Sequence, residues 1–281
     1  MNTIFYGNAL DIASHLPIDS TDCVITSPPY YKLRDYGHDR QLGSESTVKE
    51  YVDNLCDVFT VIASKLKSTA TCFINLGDTY AGSNKGVGGK NPMEQFVFES
   101  VPKTKDRLRN KCLYGVPERF MLAMIDRNWI LRNKIVWNKP NAKPSECRDK
   151  FVPSYEIIYF FTLNPKYYFK KEFEPVKQST IERHKRGQSA ENKYADIVPG
   201  QSDKQKLHQG KQLDKDRECP THRGARDVWD IPTGTQKGIK HFAMFPKILV
   251  RKMMEAGCPS DGTVLDPFVG SGTTEIGRAH V

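Results

Sequence analysis

Thr26-Ser27-Pro28-Pro29-Tyr30 follows directly on the apolar run Cys23-Val24-Ile25. A buried strand is therefore expected to deliver a hydroxyl, two carbonyls and an aromatic ring into one tight loop. Those groups suit a planar aromatic amine. The lone pair of such an amine is delocalised into its ring, so its nitrogen is a weak nucleophile. Acceptors that grip its hydrogens favour the geometry in which the lone pair faces an electrophile. Pro28 and Pro29 offer carbonyls with no competing backbone N–H groups. Pro28 also biases Ser27 away from helix, which keeps the loop extended as it leaves the strand. The Ser27 hydroxyl can accept from an amine or donate to a ring nitrogen, and Tyr30 supplies a flat face for stacking. Taken by itself, a double proline before tyrosine is also an ordinary strand-ending turn.

A second loop lies near the other end of the chain. Leu265-Asp266-Pro267-Phe268-Val269-Gly270-Ser271-Gly272-Thr273-Thr274 is entered from Thr263-Val264. Gly270 and Gly272 remove side chains so that backbone can approach a ligand, and Ser271, Thr273 and Thr274 add hydroxyls. Asp266, at the end of a strand, presents a carboxylate suited to an ammonium group. Loops of this kind also hold phosphates, but no Gly-Lys-Ser/Thr follows, which argues against a nucleotide P-loop. Cys219 and His222 have ligand-like spacing, yet a closed zinc site wants four ligands and no matching pair exists. No metal site is expected.

The elements that must carry these loops read as an alternation of strand and helix. Short strands are expected over Thr3 to Tyr6 and Asp22 to Thr26, with a helix over Ala9 to Leu16 between them. Thr47 to Lys67 keeps three-four spacing of Val48, Tyr51, Val52, Leu55, Phe59, Ile62 and Leu66, the stripe of an amphipathic helix. Thr47 with Glu50 three residues on forms a capping box at its start. Thr71 to Leu76 reads as a buried strand, Ala81 to Lys111 as a surface loop, and Pro117 to Asp126 as a helix. Trp129 to Trp137 and Tyr155 to Thr162 are β-rich, Val228 to Pro232 resumes order, and Phe245 to Glu255 is an amphipathic helix. This rhythm implies an α/β sheet covered on both faces. Between Lys170 and Arg226 apolar residues thin out. Lys185, Arg186, Lys193, Lys204, Lys206, Lys211, Lys215 and Arg223 stand there among Gln, Ser and Gly, either a solvated insertion or a surface that meets phosphates.

The chain of 281 residues can bury a full core. Its formal net charge of +9 favours a polyanionic partner. No apolar stretch approaches the roughly 20 residues of a membrane span, and the start of the chain lacks the pattern of a signal peptide. Seven cysteines, odd in number and without pairing rhythm, suit free thiols in a reducing cytoplasm.

With the amine loop first and the glycine loop last, the chain resembles the beta-class DNA amino-methyltransferases, the circularly permuted N4-cytosine and N6-adenine enzymes. Gly7-Asn8-Ala9-Leu10-Asp11, Asn75-Leu76-Gly77-Asp78, Ile135-Val136-Trp137-Asn138-Lys139-Pro140-Asn141, Ser154-Tyr155-Glu156 and Lys240-His241-Phe242-Ala243-Met244-Phe245-Pro246 are similar to further blocks of that family. One departure is Asn8, where an aspartate is usual.

The resemblance implies a permuted, Rossmann-like methyltransferase sheet that uses S-adenosylmethionine. Ser27, Pro28, Pro29 and Tyr30 would be catalytic. Asp266, Phe268, Gly270, Ser271, Gly272, Thr273 and Thr274, with His241 and Phe245, would hold the cofactor. Residues 170–226 would be a target-recognition insertion in which Lys185, Arg186, Lys204 and Lys206 meet DNA. It would lie between a catalytic part (1–169) and a cofactor-binding part (227–274). Ser-Pro-Pro-Tyr leans toward N4-cytosine, with N6-adenine the alternative. An RNA or protein amino-methyltransferase, or a non-catalytic DNA-binding remnant, are the other classes. Double-stranded DNA is the implied partner, with room for a cognate restriction endonuclease and a homodimer. The resemblance ends at Thr274, where family members continue with a helix and a strand. Residues 275–281, which match a reading frame of a sequencing-adapter oligonucleotide, are expected to be a non-native tail on a truncated chain.

Overall fold

The computed structural model describes residues 3–38, 40–82, 105–142, 144, 147–186, 221–234, 246–270 and 272–274, apart from the side chains of 183–186. By internal contacts the chain divides into two units, Met1–Lys170 with Asp227–Val281, and Lys171–Arg226.

The larger unit is built on α1 (Ala9–His15), β1 (Thr21–Thr26), α2 (Val48–Ala63), β2 (Leu66–Leu76), α3 (Val116–Asp126), β3 (Ile130–Asn138) and β4 (Tyr155–Thr162). The smaller unit supplies β5 (Phe173–Pro175), α4 (Gln178–Arg186) and β6 (His222–Gly224), after which β7 (Val228–Asp230), α5 (Lys247–Gly257) and β8 (Val264–Leu265) return to the larger one. Its sheet has the order β7-β3-β4-β2-β1-β8. β1 runs parallel to β2 and β8, β3 runs parallel to β7, and β4 is antiparallel to both its neighbours. The carboxyl ends of β1, β2, β3, β7 and β8 therefore share one edge with the start of β4. That edge is where an open α/β sheet binds ligands.

Burial on both faces explains the continuous apolar strands. In β1, Val24 packs toward α2 and α3 with Leu55, Phe59 and Phe120. Its neighbours Cys23 and Ile25 point to the opposite face, against Leu249, Val250, Met253 and Met254 of α5. Phe73 of β2 stacks on Phe160 of β4 there, with ring centroids 4.6 Å apart.

Local signals set α2 and α3 to different degrees. Thr47 and Glu50 form the expected capping box. The helix ends at Ala63, however, and not at Lys67. The Lys65 carbonyl accepts from the backbone N–H groups of Ser20 and Thr21, and Leu66 pairs with Thr21 in the sheet. Strand pairing overrides the helical period at this point. α3 starts on Gly115, which has no side chain to cap it. Asp78 does so from the loop after β2, accepting from Gly115 N at 2.9 Å and Val116 N at 3.1 Å.

Two other expectations need correction. Thr3 to Tyr6 forms no strand: Ile4, Phe5 and Tyr6 are exposed, and the segment finds no ladder partner among the described residues. The last long helix begins at Lys247 behind Pro246, whose extended backbone caps it, and runs two residues beyond Glu255. Among the described residues no helix is long and apolar enough to cross a membrane.

The described residues of the smaller unit include a strand pair and a helix. β5 and β6 pair antiparallel, Phe173 opposite Gly224. Glu174 Oε1 accepts from Arg223 Nε and Arg226 Nε, each at 2.8 Å. Arg223, expected among the cations free for a polyanion, is thus in an ion pair.

Candidate active site

The two sequence loops meet because β1 and β8 are neighbours. Thr26, the last residue of β1, donates its hydroxyl to Asp266 Oδ1 at 2.6 Å. The same oxygen accepts from Phe268 N at 3.0 Å, and Oδ2 accepts from the Thr274 hydroxyl at 2.7 Å. Burial pushes the Asp266 carboxyl above its ordinary range, opposed by the Thr26 and Thr274 hydroxyls and the Phe268 N–H. A carboxylate has about four acceptor sites, so these three bonds leave capacity for a cationic partner, which would also relieve the desolvation. Gly270 and Gly272 have φ of 52° and 75°, backbone that a side chain would strain. Phe268 packs on the core between the sheet and α2. Thr273 is buried, and the hydroxyl of Thr274 is taken up by Asp266. Ser271, His241 and Phe245 lie outside the described residues.

In the loop after β1, Pro28 is buried while Ser27, Pro29 and Tyr30 are half-buried. The two proline carbonyls are not equivalent. Tyr51 Oη donates to the Pro29 carbonyl at 2.7 Å. Among the described residues no group donates to the Pro28 carbonyl.

Tyr30 is held at both ends. Its ring lies against the backbone of Gly77, where a Cβ would come within 2.4 Å of Tyr30 Cε2. Only glycine permits that approach. The hydroxyl donates to Glu156 Oε2 at 2.9 Å and accepts from Asn75 Nδ2 at 2.7 Å. Asn75 Nδ2 also donates to Glu156 Oε2 at 2.8 Å. Glu156 Oε1 is paired with Lys139 Nζ, which sits 4.4 Å from the centroid of the Trp137 ring. Burial and the Glu156 charge push the Tyr30 phenol well up, against hydrogen bonds from Ser27 and Asn75, so it stays a donor.

Asn75, Lys139 and Glu156 stand in blocks that the sequence marks as family-like, but no role was legible there. Asn75 and Glu156 reach Tyr30 from β2 and β4, and Lys139 reaches Glu156 from the loop after β3. Of the expected DNA-facing residues, Lys185 and Arg186 end α4 in the smaller unit, and Lys204 and Lys206 lie outside the described residues. His222 is in β6 with its ring beside the Thr221 hydroxyl, and Cys219 lies outside the described residues.

This arrangement can hold a planar amine at Ser27 and Pro28 beside a site for a cationic ligand at Asp266. The sequence pattern of a family described as DNA methylase, covering N6 and N4 methyltransferases, matches residues 21–276. The Type II methyltransferase M.SmaI of Serratia marcescens is 34% identical over 274 residues, covering 97% of this chain and 81% of the relative. M.XycI of Xanthomonas campestris pv. cyanopsidis, also a Type II methyltransferase, is 34% identical over 278 residues, with coverage of 98% and 79%. Among solved structures, the PvuII DNA methyltransferase (cytosine-N4-specific) shares the fold with a TM-score of 0.60 at 18% identity, over 98% of this chain and 77% of that one. A putative DNA modification methylase from Thermus thermophilus, complexed with S-adenosyl-L-methionine, gives a TM-score of 0.54 at 20% identity, over 98% and 82%. Matched along nearly its whole length, the chain belongs to the DNA methylase family of N6 and N4 methyltransferases.

Proposed function

We propose that this protein transfers a methyl group from S-adenosylmethionine to the exocyclic N4 amine of cytosine in double-stranded DNA. The observation that carries this reading is the Thr26–Asp266 bond, which sets the Ser-Pro-Pro-Tyr loop beside the glycine loop on one sheet edge. The chemistry of the Asp266 loop fits the cofactor: a buried carboxylate with spare acceptor capacity for an ammonium, and positive-φ backbone without side chains at Gly270 and Gly272. S-adenosylmethionine supplies the electrophilic methyl group when bound there.

The chain's own residues do the rest. The target base leaves the duplex, at a cost of a few kcal/mol, and stacks on Tyr30. The Pro28 carbonyl and the Ser27 hydroxyl accept the two amine hydrogens and turn the nitrogen lone pair outward. Cys23, the cysteine nearest this loop in sequence, does not attack the ring, because it is buried within β1 and its thiol is pushed far up by desolvation. The cations of residues 171–226 supply sequence-independent affinity for phosphates. The Type II names of the relatives support a partnership with a restriction endonuclease.

Incubation with methyl-labelled cofactor and DNA, followed by separation of the nucleosides, tests the reading. N4-methylcytosine is the expected product. N6-methyladenine alone would overturn the choice of base. Transfer to RNA or protein but not DNA would overturn the substrate. DNA binding without any transfer would identify a non-catalytic remnant.

A further inference from the structure

We infer that Asn75 and Glu156 are positioning residues of the transfer reaction, which act by pinning the Tyr30 hydroxyl so that the ring is presented to the incoming base in one fixed orientation. The inference rests on the methyl-transfer reading.

Two separate strands reach this single hydroxyl, and a third segment reaches Glu156 behind it. Asn75 comes from the carboxyl end of β2, Glu156 from the start of β4, and Lys139, which pairs with Glu156, from the loop that follows β3. Asn75 is 1% exposed, and its Nδ2 lies within hydrogen-bond distance of both Tyr30 Oη and Glu156 Oε2. Its Oδ1 is buried with no partner among the described residues. That is a cost an apolar side chain would avoid. The Lys139–Glu156 pair is likewise a poor stabiliser, since a buried or half-buried ion pair seldom outperforms well-packed apolar residues. A fold that needed only to fill this space would be served by a phenylalanine at 30 and aliphatic residues around it.

What the polar cluster provides is direction. The ring of Tyr30 is limited on one side by the Gly77 backbone, and its far end by hydrogen bonds with Glu156, Asn75 and Ser27. A stacking surface fixed in advance costs no reorganisation when the base arrives. Glu156 and Lys139 have side chains 21% and 17% exposed, so the cluster borders the open edge of the sheet and is not sealed in the core.

A double-mutant cycle separates positioning from general packing. Glu156→Gln and Tyr30→Phe are close in shape to the native residues, and thermal unfolding confirms that each variant folds. Single-turnover methyl transfer is measured at saturating DNA and cofactor, beside the dissociation constant for DNA. In the Tyr30 background, Glu156→Gln should lower the transfer rate about tenfold, as expected for a lost hydrogen bond to a charged group, and leave DNA affinity unchanged. In the Tyr30→Phe background the same substitution should change the rate by less than about twofold, because the group it acts through is gone. Glu156→Asp keeps a charge for Lys139 but draws the carboxylate back from Tyr30, and should show the same coupling. Equal factors in both backgrounds, or no effect in the Tyr30 background, would overturn the inference while leaving the methyl-transfer reading intact. A wild-type protein that transfers no methyl group would overturn both.

Discussion

Ser27 and Pro28 leave the carboxyl end of a fully buried strand, and the only proline carbonyl in their loop with a donor among the described residues is that of Pro29. On the proposed function, the polar grip on an amine falls to the Ser27 hydroxyl and the Pro28 carbonyl. Ser27→Ala should leave DNA affinity unchanged and lower single-turnover transfer about ten- to hundredfold, since it removes a positioning group and no phosphate contact. Unchanged transfer would exclude that role. Asp266 makes a pH-dependent prediction. Its carboxyl is raised by burial, so the folded protein without ligand holds that proton to higher pH than the unfolded chain does. Its contribution to stability is then greatest below the unfolded value and declines as pH rises through the folded one. A cationic ligand needs the ionised form. Cofactor affinity should fall as pH drops through the raised value, and Asp266→Asn should both weaken binding and flatten the pH dependence. Calorimetric titration across that range checks both; a wild-type affinity indifferent to pH would contradict the assignment.

At the scale of elements, the helices differ in how locally they are specified. The start of α2 was readable because Thr47 and Glu50 cap it from within the same turn. Its end was not, because the competing partner of Leu66 is Thr21 on another strand. The start of α3 carries no cap of its own, and Asp78 supplies one from 37 residues away. Asp78→Ala should lower stability by about 1 kcal/mol, the usual worth of a helix cap. Thermal unfolding at neutral pH measures it, and an unchanged midpoint would show that water replaces the carboxylate there. The same loop contributes Gly77, so the cap of α3 and the backbone against which the Tyr30 ring lies are set by neighbouring residues after β2.

For the molecule as a whole, charge is the long-range variable. Lys+Arg exceed Asp+Glu by 42 to 33, and the smaller unit holds α4 with Lys185 and Arg186 at its end. Neutralising Lys185, Arg186, Lys204 and Lys206 together should weaken DNA binding and flatten its salt dependence, by about 0.9 in the log–log slope for each phosphate no longer neutralised. Fluorescence anisotropy over a salt series gives the slope. An unchanged slope would mean that these cations face solvent and that the phosphates are met elsewhere.

What the sequence by itself determined was local. The apolar run before Ser27, the glycine spacing after Asp266, the three-four stripe of α2 and the span of β4 all follow from patterns within a dozen or so residues. Fold class and family were legible for the same reason, since both rest on short motifs and on their order. What only the tertiary structure decided was which of those motifs touch. Thr26 meets Asp266 across 240 residues, and Tyr30 meets Glu156 across 126. Tyr51 takes the carbonyl of Pro29, and Thr274 gives its hydroxyl to Asp266 where an open ligand donor was expected. Those contacts depend on the strand order β4-β2-β1-β8. Periodicity records which face of a strand is buried, and it carries no information about which strand lies next to it.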